Sequence, residues 1–303
     1  MSDRFLSQLD SFLTTHASRS PDSPPVAVFD CDGTIIQADV GEAMFYFQLE
    51  HFLFRVSPAS LWPDFPKQDE LNNLYESIVA LPQEKRTQDR RFPSFAEMMI
   101  DWYFDQLAEG ATEKACSDIV RLWAGFSRTE IHQVASATLT QELDSRIDQR
   151  TIGRATLPKG IRYIQQVVDL FRRLQRRGFD LWAVSGSNQW SVEAVFQRLG
   201  LPADHAIGID LVEFDGELTS QVKAPVPVLG GKVLALQHRI TKQPLIVVSD
   251  STYDIPLFEY SSGLKILVNS QNSGKSDFFK NGSVKKDSRW LVIHRPVPMD
   301  SFT

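Results

Sequence analysis

Residues 26–36 read Val-Ala-Val-Phe-Asp-Cys-Asp-Gly-Thr-Ile-Ile, a short apolar run that ends in two acids separated by one residue. The apolar part predicts a buried β-strand, and Gly33 with Thr34 predicts a turn directly after it. Because ligands of α/β proteins bind at the carboxyl ends of the strands, Asp30 and Asp32 fall where a binding crevice is expected. We interpret the pair as a nucleophile and its acid–base partner in phosphoryl transfer.

The composition limits the class of protein. The 303 residues suffice for one large domain or two ordinary ones, and 42% hydrophobic with 23% charged residues is typical of soluble globular proteins. The net charge of −6 argues against a nucleic-acid partner. No stretch approaches the roughly 20 apolar residues of a membrane span, and no signal peptide is recognisable. With two cysteines, one of them between the paired acids, we expect a reducing cytoplasm. The oligomeric state stays open.

From Pro158 onward the pattern alternates strands with helices. Further strands are predicted at residues 181–184, 245–248, 266–268 and 291–293. Helices are predicted at residues 3–16, 160–177 and 230–238, and another helix follows Ser187 and ends at about residue 199. Asp215-Gly216 predicts a hairpin turn. Alternation of this kind indicates an α/β fold, a Rossmann-like parallel sheet with helices on both faces.

Residues 36–156 interrupt this alternation and read as helical. Ser94 with Glu97, and Ser127 with Glu130, have capping-box spacing and predict the starts of two helices. We therefore predict an α/β core formed by residues 1–35 and 157–303, with an all-helical cap of residues 36–156 inserted after the first motif. The cap is rich in aromatic residues, which predict core packing, or alternatively a cage for a quaternary ammonium group.

Three predicted strands end in polar residues that parallel topology brings to one edge of the sheet: Asp30 with Asp32, Ser185, and Asp250. Asp254 follows Asp250 by four residues, which is one turn if a helix begins there. Four carboxylates in one crevice repel each other, and a divalent cation would relieve that repulsion. All-oxygen ligands suit Mg²⁺, which also shares its coordination sphere with substrate phosphate.

Four motifs in this order resemble those of the haloacid dehalogenase superfamily of phosphatases. They are Asp30-Cys31-Asp32-Gly33-Thr34, Ser185-Gly186-Ser187, Lys232, and Asp250-Ser251-Thr252-Tyr253-Asp254. The resemblance covers residues 26–35 and about 157–270. The chain departs from the family pattern at Ser249, where glycine is common. The second acid of the first motif favours phosphatase over dehalogenase chemistry, which does not need it.

The resemblance implies a role for each residue of the first two motifs. Asp30 attacks phosphorus and forms an aspartyl-phosphate, and Asp32 protonates the leaving alkoxide and then activates water. Ser185 and the Gly186 amide bind the phosphoryl oxygens, and Ser187 is a further candidate for substrate binding.

The resemblance also implies how charge is balanced. Lys232 neutralises the nucleophile and the phosphate. Mg²⁺ is held by Asp30, the backbone carbonyl of Asp32 and Asp250, with support from Asp254.

The stretch Asp39-Val40-Gly41-Glu42 resembles the phosphoserine phosphatase-like branch, in which an acid at the Asp39 position contacts the substrate's amine. Asp39 and Glu42 are therefore candidate substrate ligands, although an acid at a helix start has the same pattern. Arg55 is a candidate partner of a substrate carboxylate, or an exposed arginine. The resulting hypothesis is a Mg²⁺-dependent phosphatase for a small, amine-bearing phosphomonoester, which is phosphoserine-, phosphocholine- or phosphoethanolamine-like.

Two other functions stay open at this point. The protein could be a phosphotransferase that uses the same aspartyl-phosphate. Competition between water and another acceptor would distinguish it from a hydrolase. A protein of this fold could also be a non-catalytic binding protein, in which case Mg²⁺ would bind without turnover.

Overall fold

The computed structural model describes residues 1–16, 23–270 and 287–295. Residues 17–22, 271–286 and 296–303, which belong to the predicted α/β core, lie outside these ranges. The strands are β1 (Val26–Phe29), β2 (Asp148–Ile152), β3 (Ala155–Lys159), β4 (Asp180–Asn188), β5 (Ala206–Ile209), β6 (Leu211–Phe214), β7 (Glu217–Val222), β8 (Ile246–Ser249), β9 (Leu264–Ser270) and β10 (Trp290–Arg295). The helices are α1 (Asp3–His16), α2 (Val40–Glu50), α3 (Pro58–Leu61), α4 (Gln68–Val79), α5 (Gln83–Arg86), α6 (Phe92–Ala108), α7 (Thr112–Arg121), α8 (Arg128–Asp144), α9 (Gln165–Arg176), α10 (Gln189–Arg198), α11 (Gly231–Arg239) and α12 (Ile255–Tyr260).

Six strands form one parallel sheet in the order β10-β9-β8-β1-β4-β5. The chain passes from β1 outward to β4 and β5 and then returns to β8 on the other side of β1. This reversal beside β1 opens a crevice at the carboxyl ends of the strands. The predicted parallel α/β fold is confirmed, and Asp30 and Asp32 follow β1 at that crevice.

β1 is buried along its whole length, as expected for a central parallel strand covered on both faces. Ala27 and Phe29 belong to the larger hydrophobic cluster, where Phe29 stacks on Phe171 of α9 with ring centroids 4.0 Å apart. Val26 and Val28 belong to a second cluster on the opposite face. The two acids therefore directly follow a strand that is buried on both faces.

The insertion between β1 and α9 has a hydrophobic core of its own, which is rich in aromatic side chains. The buried aromatic members of this core are Phe45, Tyr46, Phe52, Phe54, Trp62, Phe65, Tyr75, Phe92, Phe95 and Tyr103. α8 joins the larger cluster of the sheet through Ile131, Ala135 and Leu139, as does the first part of α2 through Val40, Ala43 and Met44. The insertion is thus anchored on the α/β core along α8 and α2.

The prediction of an all-helical insertion was wrong. Its last part forms an antiparallel hairpin of β2 and β3, with Gly153 in the turn at a φ of +60°. The alternation of exposed and buried residues in β2 spans only five residues, and the turn lacks the Asn-Gly or Asp-Gly pair that marks many hairpins.

Two predicted helix starts were also wrong, while one capping box is confirmed. α6 begins at Phe92, with Pro93 in its first turn, so Ser94 lies inside the helix. The helix predicted from residue 160 begins at Gln165, because the preceding segment pairs with residues 35–37. Ser127 and Glu130 form the predicted capping box of α8. Within the described ranges, no helix combines the length and the apolar character that crossing a membrane requires.

Candidate active site

A cavity of about 430 Å³ lies at the carboxyl edge of the sheet, with the insertion above it. All the predicted site residues line this cavity except Glu42 and the alternative candidate Arg55. They are Asp30, Asp32, Asp39, Ser185, Gly186, Ser187, Lys232, Asp250 and Asp254. The fold therefore brings together groups that are as far as 224 positions apart in the sequence.

Asp30 is 5% exposed and both of its carboxylate oxygens are held. Lys232 Nζ donates to Oδ1 at 2.7 Å, and the Thr34 hydroxyl donates to Oδ2 at 3.2 Å. Burial raises the pKa of Asp30 above its ordinary value, the Lys232 ammonium opposes this, and the neighbouring carboxylates add to it. Asp30 is thus fixed in position among other carboxylates, whose negative charges repel its own.

Lys232 lies at the start of α11 and connects two acids. Its ammonium donates to Asp30 and, at 2.8 Å, to Asp254 Oδ2. Burial alone would lower the pKa of Lys232, but the charges of Asp254 and Asp30 raise it above its ordinary value. The side chain is therefore a permanent buried cation beside Asp30.

Asp254 is fully buried, and Ser249 helps to hold it. The Ser249 hydroxyl donates to Asp254 Oδ2 at 2.7 Å and accepts the Ser251 N–H at 3.0 Å. Glycine could make neither contact. Ser249, where the chain departs from the family pattern, thus gives Asp254 an additional hydrogen-bond donor.

Asp32 connects the start of the insertion to the end of β4. The backbone N–H of Val40 donates to its Oδ1 at 2.8 Å. The hydroxyls of Ser185 and Ser187 donate to its Oδ2 at 2.8 Å and 2.7 Å. Burial, with the charge of Asp39, raises the pKa of Asp32 to about 7, although these three hydrogen bonds lower it. A carboxyl with such a pKa exchanges protons at neutral pH.

Asp39 is the N-cap of α2, where its Oδ1 accepts the N–H of Glu42 at 2.8 Å, so the helix-start interpretation is correct. It also lines the cavity, and burial raises its pKa to about 7. Glu42 instead accepts the hydroxyls of Tyr46 and Tyr103 and lines a neighbouring cavity of about 300 Å³. Asp39 lines both cavities, whereas Glu42 lines only the neighbouring one.

The residues around Asp250 fit a magnesium ion. The Thr34 hydroxyl lies 3.2 Å from Asp30 Oδ2 and 3.5 Å from Asp250 Oδ1, so the two carboxylates are neighbours. Gly33 has a φ of +74°, and a Cβ there would lie 2.4 Å from Asp250 Oδ2. The buried Oδ1 of Asp254 makes no hydrogen bond, although it lies 2.8 Å from Lys232 Nζ. All these donors are oxygens, as Mg²⁺ prefers.

Among the described residues, no three side chains of the His, Cys, Asp and Glu types are arranged to hold a metal by themselves. Mg²⁺ commonly binds through one or two carboxylates and completes its coordination with water and substrate phosphate. An incomplete set of protein ligands is therefore compatible with such a site.

The local structure and the sequence similarity agree on the class of protein. A family model of haloacid dehalogenase-like hydrolases matches residues 87–259, which is more than half of the chain and includes Ser185, Lys232, Asp250 and Asp254. The chain belongs to this family. The first motif, Asp30 to Thr34, precedes the matched segment.

A phosphoserine phosphatase of Halobacterium salinarum is similar over 110 residues, with 31% identity. The match covers 35% of this chain and 52% of that protein, so it spans about half of the length of the relative. A conserved protein of unknown function from Anaerococcus prevotii has a similar structure, with a TM-score of 0.73, 18% identity and coverage of 94% of this chain and 91% of that one. A protein of unknown function from Bordetella pertussis gives 0.55 and 17%, with coverage of 90% and 99%. These two likenesses support the fold alone.

Proposed function

We propose that the protein is a Mg²⁺-dependent phosphatase that hydrolyses a small, amine-bearing phosphomonoester through an aspartyl-phosphate on Asp30. The observation that carries this proposal is the meeting of Asp30, Asp32 and Lys232 with Asp250 and Asp254 in one cavity. A nucleophile fixed by a cation and an acid with a pKa near 7 are the two groups that stepwise phosphoryl transfer needs.

In the first step, a carboxylate oxygen of Asp30 attacks phosphorus and the bond from phosphorus to the alcohol oxygen breaks. Asp32 gives its proton to the departing oxygen. Ser185 and the Gly186 amide border the same cavity and would bind the phosphoryl oxygens, while Lys232 balances their charge. The products of this step are the free alcohol and phosphorylated Asp30.

In the second step, Asp32 takes a proton from water as the water oxygen attacks phosphorus. The acyl phosphate bond breaks, which restores the Asp30 carboxylate and releases inorganic phosphate. Asp30, the carbonyl of Asp32 and Asp250 would hold Mg²⁺ with support from Asp254, and the ion supplies positive charge to the phosphoryl oxygens when it is bound.

The insertion and the position of Asp39 support the choice of substrate. A cavity of about 430 Å³ beneath the insertion suits a small ester. Asp39 adds negative charge beside a dianionic phosphate, which is useful if the leaving alcohol carries a positive charge. Cys31 and Cys116 are both unpaired, which supports a reducing compartment such as the cytoplasm.

The test is release of inorganic phosphate from a panel of small phosphomonoesters in the presence of Mg²⁺. We expect turnover that EDTA abolishes and added Mg²⁺ restores. The Asp30→Asn substitution should reduce the turnover by at least about a thousandfold, because no nucleophile remains. Asp64→Asn is the matched control, since Asp64 is exposed and outside the cavity. Full activity of Asp30→Asn would contradict the mechanism.

A further inference from the structure

The cavity around Asp30 contains very little positive charge. Among the residues that the structure describes, Lys232 is the only cationic side chain that lines it. Its ammonium already bonds Asp30 and Asp254, and the phosphoryl group is the next partner within its reach. A leaving group with its own carboxylate would need a different cation.

Arg55, the sequence candidate for that cation, is engaged elsewhere. Its guanidinium forms a 2.5 Å ion pair with Glu130, donates to the Gly125 carbonyl at 2.9 Å and lies 4.3 Å over the Phe126 ring. These contacts hold the side chain at the start of α8, and Arg55 does not line the cavity. The structure therefore gives it no part in substrate binding.

Two other arginines near the insertion are also occupied. Arg150 is buried against Glu142 and Glu50. Arg295 lines the neighbouring cavity, and its guanidinium is directed at the carbonyl oxygens of Gly33 and Gln37. Neither lines the cavity that contains Asp30.

The insertion presents one charged side chain to this cavity, and the rest of its lining there is uncharged. α7 contributes Thr112, Cys116, Ile119 and Val120, α6 contributes Tyr103, and the loop before α11, in the core, adds Val228. Asp39 is the charged residue that the insertion presents to this cavity. A carboxylate in this half of the cavity would meet uncharged groups and a like charge, whereas an ammonium would meet a counter-ion.

From these contacts we infer that the leaving alcohol carries an ammonium group and no carboxylate, as in an aminoalkyl phosphate rather than a phosphorylated amino acid. The inference rests on the proposed phosphatase function and narrows its substrate class. Asp39 is the residue that determines this specificity.

Three matched esters test the inference: ethyl phosphate, phosphoethanolamine and O-phosphoserine. The second adds an ammonium to the first, and the third adds a carboxylate to the second. We expect kcat/KM for phosphoethanolamine to exceed both others by about 10- to 100-fold, the range of one charge-assisted hydrogen bond.

Asp39→Asn supplies the variant for the same experiment, because asparagine also caps a helix N-terminus. We expect the ratio of kcat/KM for phosphoethanolamine to that for ethyl phosphate to fall by about tenfold or more. Any effect that acts through Asp32 changes both substrates and cancels in this ratio. An unchanged ratio would overturn the role of Asp39.

A kcat/KM for O-phosphoserine that equals or exceeds that for phosphoethanolamine would overturn the inference, and the proposed phosphatase function would still stand. A best rate with ethyl phosphate would overturn it as well. A protein that released phosphate from none of the three esters and none from p-nitrophenyl phosphate would contradict the proposed function itself.

Discussion

Asp30 and Asp32 are one residue apart, yet their surroundings prepare them for different tasks. Asp30 is fixed by the ammonium of Lys232 and the hydroxyl of Thr34. Asp32 is held by neutral donors, the N–H of Val40 and two serine hydroxyls, and no cation of the described ranges bonds it. Burial raises the pKa of both carboxyls, so the two residues differ in their partners, which are a cation for Asp30 and neutral donors for Asp32. The geometry therefore separates the proposed nucleophile from the proposed acid.

Ser187→Ala tests the support of Asp32. The substitution removes a 2.7 Å hydrogen bond to Asp32 and the acceptor of the buried N–H of Gly41. We expect kcat to fall by about tenfold, because part of the acid–base contribution is lost, and the free energy of unfolding to fall by about 1 kcal/mol. Steady-state kinetics and urea unfolding measure the two effects.

Ser7→Ala is the control for that substitution, since Ser7 is exposed on α1. It should leave both quantities unchanged within error. If kcat of Ser187→Ala equals that of the wild type, the hydroxyl does not orient Asp32.

At the residue scale, the sequence predicts most of the candidate site. Acids and serines that follow apolar strands can be placed at one edge of a parallel sheet without knowing any contact. The sequence does not reveal that Ser249 donates to Asp254 or that the Val40 N–H donates to Asp32, because these contacts depend on the folded path of the chain. Thr34 belongs to the first motif and could have been chosen as a site residue from the sequence. Its hydrogen bonds to Asp30 and Asp250 are visible only in the structure.

Among the elements, α2 has the closest connection to the chemistry. Its first turn carries the Asp39 cap, the Val40 N–H that reaches Asp32 and Gly41, which packs against Ser187. A Cβ at position 41 would lie 2.6 Å from the Ser187 hydroxyl oxygen. Glycine is therefore needed for the close approach of α2 to β4, which sets the distance between the insertion and the predicted acid.

Gly41→Ala tests this approach. We expect α2 and Ser187 to move apart, with a loss of about 1–3 kcal/mol in the free energy of unfolding, as for other overpacked sites. The kcat should fall as well, because Ser187 and Val40 both hold Asp32. Gly230→Ala is the control, since a Cβ there meets nothing within 4 Å. Equal losses for both variants would mean that the packing of Gly41 is unimportant.

The elements also indicate where sequence patterns lose their predictive value. The parallel strands, α1 and the capping box of α8 have strong local signals and are confirmed. The start of α9 depends on tertiary pairing, as the backbone bond from Ile164 to Ile35 illustrates. The β2–β3 hairpin is local, but its strands of five residues are too short to give a clear alternation.

For the molecule as a whole, the insertion is tied to the α/β core at several places. The β6–β7 hairpin bonds it directly, through the Gly125 N–H to the Leu218 carbonyl at 2.7 Å and the Leu218 N–H to the Phe126 carbonyl at 2.8 Å. A second joint lies where the chain returns to the core. There Glu142 accepts the N–H of Gly160 at 2.7 Å and pairs with the buried Arg150.

Glu142→Gln tests the second joint. Loss of the carboxylate leaves Arg150 with Glu50 as its remaining ion-pair partner, at 3.1 Å. We expect the free energy of unfolding to fall by about 3 kcal/mol, as for other buried pairs that lose one member. Glu97→Gln removes an exposed pair with Arg154 and should cost less than about 0.5 kcal/mol. Urea unfolding of both variants decides, and equal stability would mean that this joint does not hold the molecule together.

In the proposed mechanism, turnover passes through phosphorylated Asp30. Asp32→Asn should allow the phosphoenzyme to form from p-nitrophenyl phosphate, whose leaving group needs little protonation, and should slow its hydrolysis because no base activates water. The direct measurement is peptide mass spectrometry of this variant after acid quenching of the reaction in Mg²⁺. We expect one phosphoryl group, on Asp30. A phosphoryl group on another residue, or none in a variant that still releases p-nitrophenol, would contradict the proposed phosphorylation of Asp30.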